Sequence, residues 1–462
     1  MTLAALKAQM PHLALEENPK IVQQKSRDFY WYSPVLKRQL DKVIADAVAS
    51  PTSEAELLEI LGACYRTDLP VTIRGSGTGN YGQAMPLAGG LVVDLSDFNK
   101  VKAVQQGSVI AEPGAILSKI DEVARPTGQE LRLSPSTYHT ASIGGFIGGG
   151  SGGIGSIRWG GLRDAGNIIR VRLALMDGPS PTVIELTGAE IAKASHAYGT
   201  TGVITEVEMP LAPSYDWVDL FISFDVLKDA VAFGEKLAGA DGLLLKNLAV
   251  VDHHITPYLK RHREYLPAGA AMVMVVAAPF AAGDVIDMAT RAGGTLTLRT
   301  DTLDADERTH LPPAFELSWN HTTLRALRVD PAITYLQVLY PQPGITQKVI
   351  AMAAEFSQEV PTHLEFVRFD GAVGCFGLPL VNFTTEARLD EIVAIHEAAG
   401  CPIFNPHRYT LEEGGMKETD EIQLAFKHQA DPKGLLNPGK MIAWDDPTFD
   451  YGKPYLFPTL SD

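Results

Sequence analysis

ASIGGFIGGGSGGIGSIRWGG, residues 141–161, is the stretch on which the fold turns. A flexible linker is rich in Gly and Ser and free of bulky side chains. This one carries Ile143, Phe146, Ile147, Ile154, Ile157 and Trp159 between its glycines, and such side chains need a core to bury them. Eleven of the 42 glycines fall between residues 144 and 166. Glycine lets a backbone come close to a ligand and turn through positive φ. At this density, interleaved with apolar residues, the glycines describe a shaped wall inside a folded domain, suited to a flat aromatic ligand.

A second glycine loop lies upstream, in VTIRGSGTGNYGQAMPLAGG (71–90). Gly77, Gly79 and Gly82 satisfy GxGxxG after a β-branched run. A Rossmann site would need a helix directly after the loop, with its N-terminus on the pyrophosphate. Here Pro86, Gly89 and Gly90 follow and then another strand, so that site is excluded. Successive N–H groups in tight glycine turns can still form an anion-binding nest, with Arg74 at its entrance.

Working outward, QLDKVIADAVA and PTSEAELLEILGACY read as helical over 39–62, the second capped by Thr52 or Ser53. Strands are expected at 69–75, 89–96, 167–178 and 202–213, and a strand, a Pro113-Gly114 turn and an amphipathic helix across 108–128. The chain up to Pro213 is therefore α+β with many glycine turns. Beyond it strand and helix alternate, as in an antiparallel sheet with helices on one face, and 420–444 reads as a helix followed by a Pro/Gly-punctuated segment. The most apolar run, AGAAMVMVVAAPF (268–280), is too short to span a bilayer and suits a buried strand.

A net charge of −16 argues against nucleic acid or an anionic membrane as the main partner. Three widely spaced cysteines without a CxxC pattern fit a reducing compartment, with no disulfide framework or structural zinc. The first residues lack the apolar core and cleavage site of a signal peptide, so a cytoplasmic location is expected.

The ordered landmarks PTSEAELLEIL, PVTIRGSGTGNYG, GGLVVDLS, VIAEPGA, SPSTYHTASIGGFIGGGSGGIG, GTTGVITEVEM and DPKGLLNPGKM resemble the vanillyl-alcohol oxidase/p-cresol methylhydroxylase (PCMH) flavoprotein superfamily, over roughly 35–213 and 420–441. The resemblance implies an α+β protein: a PCMH-type FAD-binding domain of two α+β subdomains, and an α+β cap domain with an antiparallel sheet. The boundaries would be an N-terminal extension at 1–34, the FAD domain at 35–213, the cap at 214–419, and 420–462 completing the FAD domain. By position, Arg74, Gly75, Ser76, Gly77, Thr78, Gly79, Asn80 and Gly82 would hold the pyrophosphate. Pro135, Ser136, Thr137, Ser142, Ile143, Gly144, Gly145, Gly148 and Gly149 would line pyrophosphate, ribityl chain and ring. Gly202, Val203 and Ile204 would meet the flavin through backbone, and Asn437 and Lys440 would close the site.

Two departures refine what the resemblance implies. Many relatives attach FAD to a His in the first loop, whereas 75–82 contains neither His nor Cys, so FAD is expected to be non-covalent. THLEFVRFDGAVGCFGLP (362–379) holds His363 alone where one branch carries a His-rich metal motif, so no metal is expected. The implied function is an FAD-linked oxidase or dehydrogenase, taking a hydride from the CH–OH or benzylic carbon of a small aromatic alcohol or phenol. The alternatives are a 2-hydroxy-acid dehydrogenase of the glycolate-oxidase-subunit type, or a non-catalytic flavin-fold subunit. The electron acceptor would be O2 or a redox protein, and a homodimer is compatible with all of these.

A hydroxyl donor needs a general base within hydrogen-bond reach. FNPHRYTLEEGG (404–415) supplies His407, Arg408 and Tyr409, where a Tyr–Arg pair could favour a phenolate. ELSWNHTTLRALR (316–328) supplies Asn320 and His321. His253, His254 and His262 sit near a charged run and read as surface.

Overall fold

The computed structural model describes residues 3–150, 152–369, 371–414 and 421–450. Its first sheet is built on three parallel strands, Ala47–Ala49, Leu91–Asp94 and Val71–Arg74, with Leu15–Glu16 added antiparallel at one edge. The parallel connection from Ala47–Ala49 runs through helix Glu54–Thr67, whose first turn is capped by Ser53 Oγ accepting from the Glu56 N–H at 3.3 Å. Leu57, Ile60 and Leu61 of that helix pack on the sheet. The expected helix across 39–49 is not present. The helix here is Pro34–Leu40, and Ala47–Ala49 is a strand whose three residues are all buried. A strand covered on both faces loses its polar alternation, which is why VIADAVA resembles a helical pattern.

The second sheet is antiparallel, ordered Val101–Gln105, Ser108–Ala111, Val203–Pro213, Arg170–Ala174, Val183–Thr187, with Gln129–Leu131 also pairing with Val203–Pro213. Helix Leu117–Ala124 covers it through Leu117, Ile120 and Ala124.

After Pro213 the chain forms a seven-stranded antiparallel sheet, ordered Thr295–Arg299, Val218–Phe224, Ala271–Ala277, Leu245–Val251, His363–Phe369, Ala372–Gly377, Val338–Tyr340. Helices Leu227–Ala238, Ala282–Arg291, Ile345–Phe356 and Glu386–Ala398 pack on one face. The opposite face is covered by Ile255, Leu259, Leu266, Ala314 and Leu317. Every residue of Val218–Phe224 and Ala271–Ala277 is consequently buried. ITYLQVLYP splits into Ile333–Tyr335, which pairs with Leu380–Asn382, and Val338–Tyr340.

Helix Glu421–Ala430 returns the chain to the first sheet, where the Asn437 N–H donates to Val71 O at 2.7 Å and extends the Val71–Arg74 edge. Asp420, Gly415 and residues 451–462, which the sequence assigns to the active-site segment and the C-terminal piece, lie outside the described residues. No helix among the described residues is long and apolar enough to cross a membrane.

Candidate cofactor and active site

The two glycine stretches face each other across a deep cavity. The 71–90 loop leaves strand Val71–Arg74 and reaches Leu91–Asp94 without a helix, so its backbone is free to turn over the sheet end. The second stretch contains a feature that its glycine content conceals: Ile143–Gly149 is a helix. Ile143, Phe146 and Ile147 bury one face of it in the core of the second sheet. Gly144 is required by closeness, because a Cβ there would sit 2.7 Å from Pro113 Cβ. At Gly148 a Cβ would meet nothing within 4 Å, since this side of the helix is open to the cavity.

The cavity and its open mouth together hold roughly 1680 Å³ of empty space. Gly75, Ser76, Gly77, Thr78, Gly79 and Asn80 line it from the first loop. Pro135, Ser136, Thr137, Ser142, Gly144, Gly145, Gly148 and Gly149 line it from the second stretch, and Gly202 and Ile204 from the second sheet. Gln83 ties the walls together: its Nε2 donates to Gly149 O at 3.3 Å while its Oε1 accepts from the Tyr81 N–H at 3.0 Å. Among the described residues, the N–H groups of Gly77, Thr78, Gly79 and Asn80 donate to no protein acceptor. A run of unpaired amides is the donor set that a pyrophosphate requires.

Six of the expected cofactor residues stand behind this wall instead of lining it. The Arg74 guanidinium donates to Arg27 O and to Ser76 O and lies beneath Gly77, where any Cβ would overlap it. Lys440 Nζ donates to Gly82 O at 2.5 Å, and Asn437 Nδ2 to Gln83 O at 2.9 Å and Tyr198 O at 2.6 Å. Ile143 and Val203 are fully buried in the cores of the two sheets. Arg74, Gly82, Asn437 and Lys440 therefore brace the loop, a correction to their expected role as contacts.

The sequence reading missed the contribution of RDFYWY at 27–32. Asp28, Phe29 and Tyr32 line the cavity, and the Phe29 N–H donates to Gly79 O at 2.6 Å. Asp28 accepts from the Tyr30 and Ala84 N–H groups at 2.9 and 3.2 Å. Burial raises its pKa, against the opposing charge of Lys440. The same burial depresses Lys440, with Asp28 opposing. Four aromatic residues beside an acid, in a segment assigned as an extension, were the available signal.

The side of the cavity formed by the chain beyond Pro213 is built from Trp319, Asn320, His321, Gln337, Leu378 and Phe404. Asn320 Oδ1 is buried and has no hydrogen-bond partner. His321 Nδ1 lies 3.2 Å from Glu316 Oε2. Trp319, at φ +51, is held by Glu365, whose Oε1 accepts from the Trp319 N–H at 2.7 Å and from His363 Nε2 at 2.8 Å. Tyr81 OH donates to Gln337 Oε1 at 2.7 Å.

The 404–415 segment does not present its polar trio to this space. His407 is buried in the core, where Ser33 Oγ donates to its Nδ1 at 2.7 Å and its Nε2 donates to Tyr335 O at 3.0 Å. Burial pushes its pKa down to about 3. With both nitrogens engaged it is a structural imidazole, which corrects the expectation of a catalytic one. Tyr409 packs beside Leu40 and Met85 with Lys440 Nζ 5.1 Å from its ring centre. Arg408 faces Glu386 and Asp390, at 4.0 and 3.7 Å. The segment gives the cavity Phe404 and Gly414. His363 is the partner of Glu365. His262, expected on the surface, is buried against Phe221. Away from the cavity, His253 and His254 converge on Asp252 Oδ1 at 3.0 and 2.6 Å.

Residues 45–182 match the family described as "FAD binding domain". An FAD-linked oxidoreductase of Mycobacterium tuberculosis is 30% identical over 213 residues, 44% of this chain and 44% of that protein. The chain thus matches less than half the length of that relative. The glycolate oxidase subunit GlcD of Bacillus subtilis is 25% identical over 440 residues, 87% of this chain and 89% of that one. Among solved structures, p-cresol methylhydroxylase with substrate bound superposes with a TM-score of 0.68 at 11% identity, over 95% of both chains. Residues 45–182 thus match an FAD binding domain, and the chain shares the fold of p-cresol methylhydroxylase. FAD is its cofactor, and the free amides of the first loop with the open glycine face of the second fit that group.

Proposed function

We propose that this protein is an FAD-dependent oxidoreductase that removes a hydride from the CH–OH or benzylic carbon of a small alcohol or phenol. The observation that carries this reading is that one cavity is walled by the FAD-domain glycines on one side and by Asn320 and His321 of the cap on the other. Bound FAD supplies the hydride acceptor. The chain's own part is to bind the donor, orient it and take its proton.

Gly75–Asn80 and the 135–149 stretch would hold the cofactor through backbone and small side chains. Trp319, Leu378 and Phe404 give the cap side an apolar surface that excludes water and suits an aromatic donor. Asn320 and His321 bring the polar groups that a reacting oxygen requires. The similarity to glycolate oxidase subunit GlcD supports a second reading, a 2-hydroxy-acid dehydrogenase.

The test is the visible spectrum of the purified protein, followed by anaerobic addition of aromatic alcohols, alkylphenols and 2-hydroxy acids. A flavin band that bleaches with one of these classes supports the reading. A protein that holds no flavin, or whose flavin no donor in the screen bleaches, contradicts it.

A further inference from the structure

We propose that His321 accepts the hydroxyl proton of an uncharged alcohol, with Glu316 as its positioning residue, in a site that turns away carboxylates and phenolates. This rests on the FAD-dependent reading above and narrows its substrate class.

The first support is the geometry of the pair. Glu316 lies in the short 3-10 helix Ala314–Leu317 and His321 in helix Asn320–Leu327. Between them the chain turns at Trp319 with φ +51, a conformation that a non-glycine residue holds only where its surroundings enforce it. Glu365 enforces it by accepting the Trp319 N–H at 2.7 Å, and Asn247 Oδ1 accepts from Trp319 Nε1 at 3.3 Å. The turn sets His321 Nδ1 3.2 Å from Glu316 Oε2. A carboxylate on Nδ1 fixes the tautomer with its proton there and leaves Nε2 as the basic nitrogen. Nε2 makes no hydrogen bond to any described residue, and the ring lines the cavity.

Glu316 is itself constrained to be an anion. Burial raises its pKa, but the hydrogen bond from His321 and the charges of His321, Arg325 and His139 outweigh that and lower it. Arg325 donates twice to Glu316 O, at 3.1 and 3.0 Å, and feels the charges of Arg328 and Arg261. Those are the charged groups that surround the pair.

The second support is what the cavity lacks. Among the described lining residues there is no Lys or Arg, and the one carboxylate is Asp28. Arg74 and Lys440 lie behind the first loop, committed to Arg27 O and Ser76 O and to Gly82 O. Arg408 points to Glu386 and Asp390. Among the described residues a donor carboxylate or phenolate would be buried here without a cationic partner, an unfavourable placement for a charge. A neutral hydroxyl needs only the imidazole and the Asn320 amide.

The step balances without another reactant. The O–H bond breaks and its proton goes to His321 Nε2. The C–H bond would break as hydride, its two electrons taken up by the FAD that Gly75–Asn80 and the 135–149 stretch would hold, and a neutral carbonyl product would form. Glu316 stabilises the imidazolium that results.

The test uses holoprotein and three readouts. Benzamide and benzoate, matched in shape and unreactive, are titrated against the absorbance of the oxidised flavin; benzamide should bind at least tenfold more tightly. Anaerobic flavin reduction is then compared for primary alcohols, their 2-hydroxy-acid counterparts and alkylphenols, and neutral alcohols should be preferred. Glu316→Gln and His321→Gln should retain FAD, and Glu316→Gln should move the acid limb of the reduction profile to lower pH and slow reduction at neutral pH ten- to a hundredfold. Tighter benzoate binding, preference for the acids or phenols, or an unmoved profile in Glu316→Gln overturns the proposal while leaving an FAD-dependent enzyme. Absence of flavin instead removes the reading on which it rests.

Discussion

Gly75 and Ser142 interlock the two glycine stretches: a Cβ on Gly75 would overlap Ser142 Oγ, the same oxygen that accepts the Ser76 N–H at 3.3 Å. The cavity wall therefore depends on a hydrogen at residue 75. Gly75→Ala should push the loops apart and weaken FAD retention roughly five- to a hundredfold, as overpacking of about 1–3 kcal/mol implies. Gly75→Ala combined with Ser142→Ala removes the overlapping oxygen, so it should recover part of that loss. Fluorescence of flavin released on dilution measures both.

His407 should report on stability and not on chemistry. Its pKa is pushed down to about 3 in the fold, whereas an unfolded histidine titrates near 6.5. The unfolded chain therefore binds the extra proton first. The stability the neutral ring supports is fully present above about pH 6.5 and falls by about 1.4 kcal/mol per unit as pH drops below it. His407→Asn should unfold at lower urea concentration than the parent at pH 7, yet lose about 2 kcal/mol less than the parent between pH 7 and pH 5. Catalysis per folded molecule should change little. Urea midpoints at the two pH values decide this.

Glu365 should be worth more than an ordinary hydrogen bond, because it is buried and holds both Trp319 and His363. Glu365→Ala leaves the Trp319 N–H and the imidazole without an acceptor and should cost about 3 kcal/mol. Glu365→Gln, which keeps an oxygen at that place, should cost less than half as much. Thermal unfolding of the two variants gives the comparison.

FAD should leave the protein with acid. The first loop carries neither His nor Cys, and it lines the cavity with Thr78 and Gly79. After acid precipitation the supernatant should be yellow and the pellet colourless. A yellow pellet would instead indicate a covalent bond to another lining residue such as Tyr81, His196 or His321.

Much of this was legible in residue order. Pro86, Gly89 and Gly90 ruled out a helix after GTGNYG, and the chain does run from that loop directly to Leu91–Asp94. After Pro213 the alternation of strand and helix patterns pointed to an antiparallel sheet with helices on one face, and the continuous apolar run at Ala271–Ala277 marks a strand buried on both faces. Ile143–Gly149 was not legible as a helix, since four glycines in seven residues contradict helix propensity and only packing on Pro113 and the second sheet explains it. Site residues divided along the same line. Asn320 and His321 reach the cavity, whereas His407 is turned inward by Ser33, a residue 374 positions away in sequence. Asp28 was overlooked because nothing local shows that residues 27–32 fold back under Gly79.

The most direct measurement is anaerobic titration of the purified protein with a neutral primary alcohol while the visible flavin band is followed. Stoichiometric bleaching, slowed in His321→Gln without loss of bound FAD, is the predicted result. A flavin-loaded protein that neutral alcohols leave fully oxidised, or a purified protein with no flavin band, would contradict it.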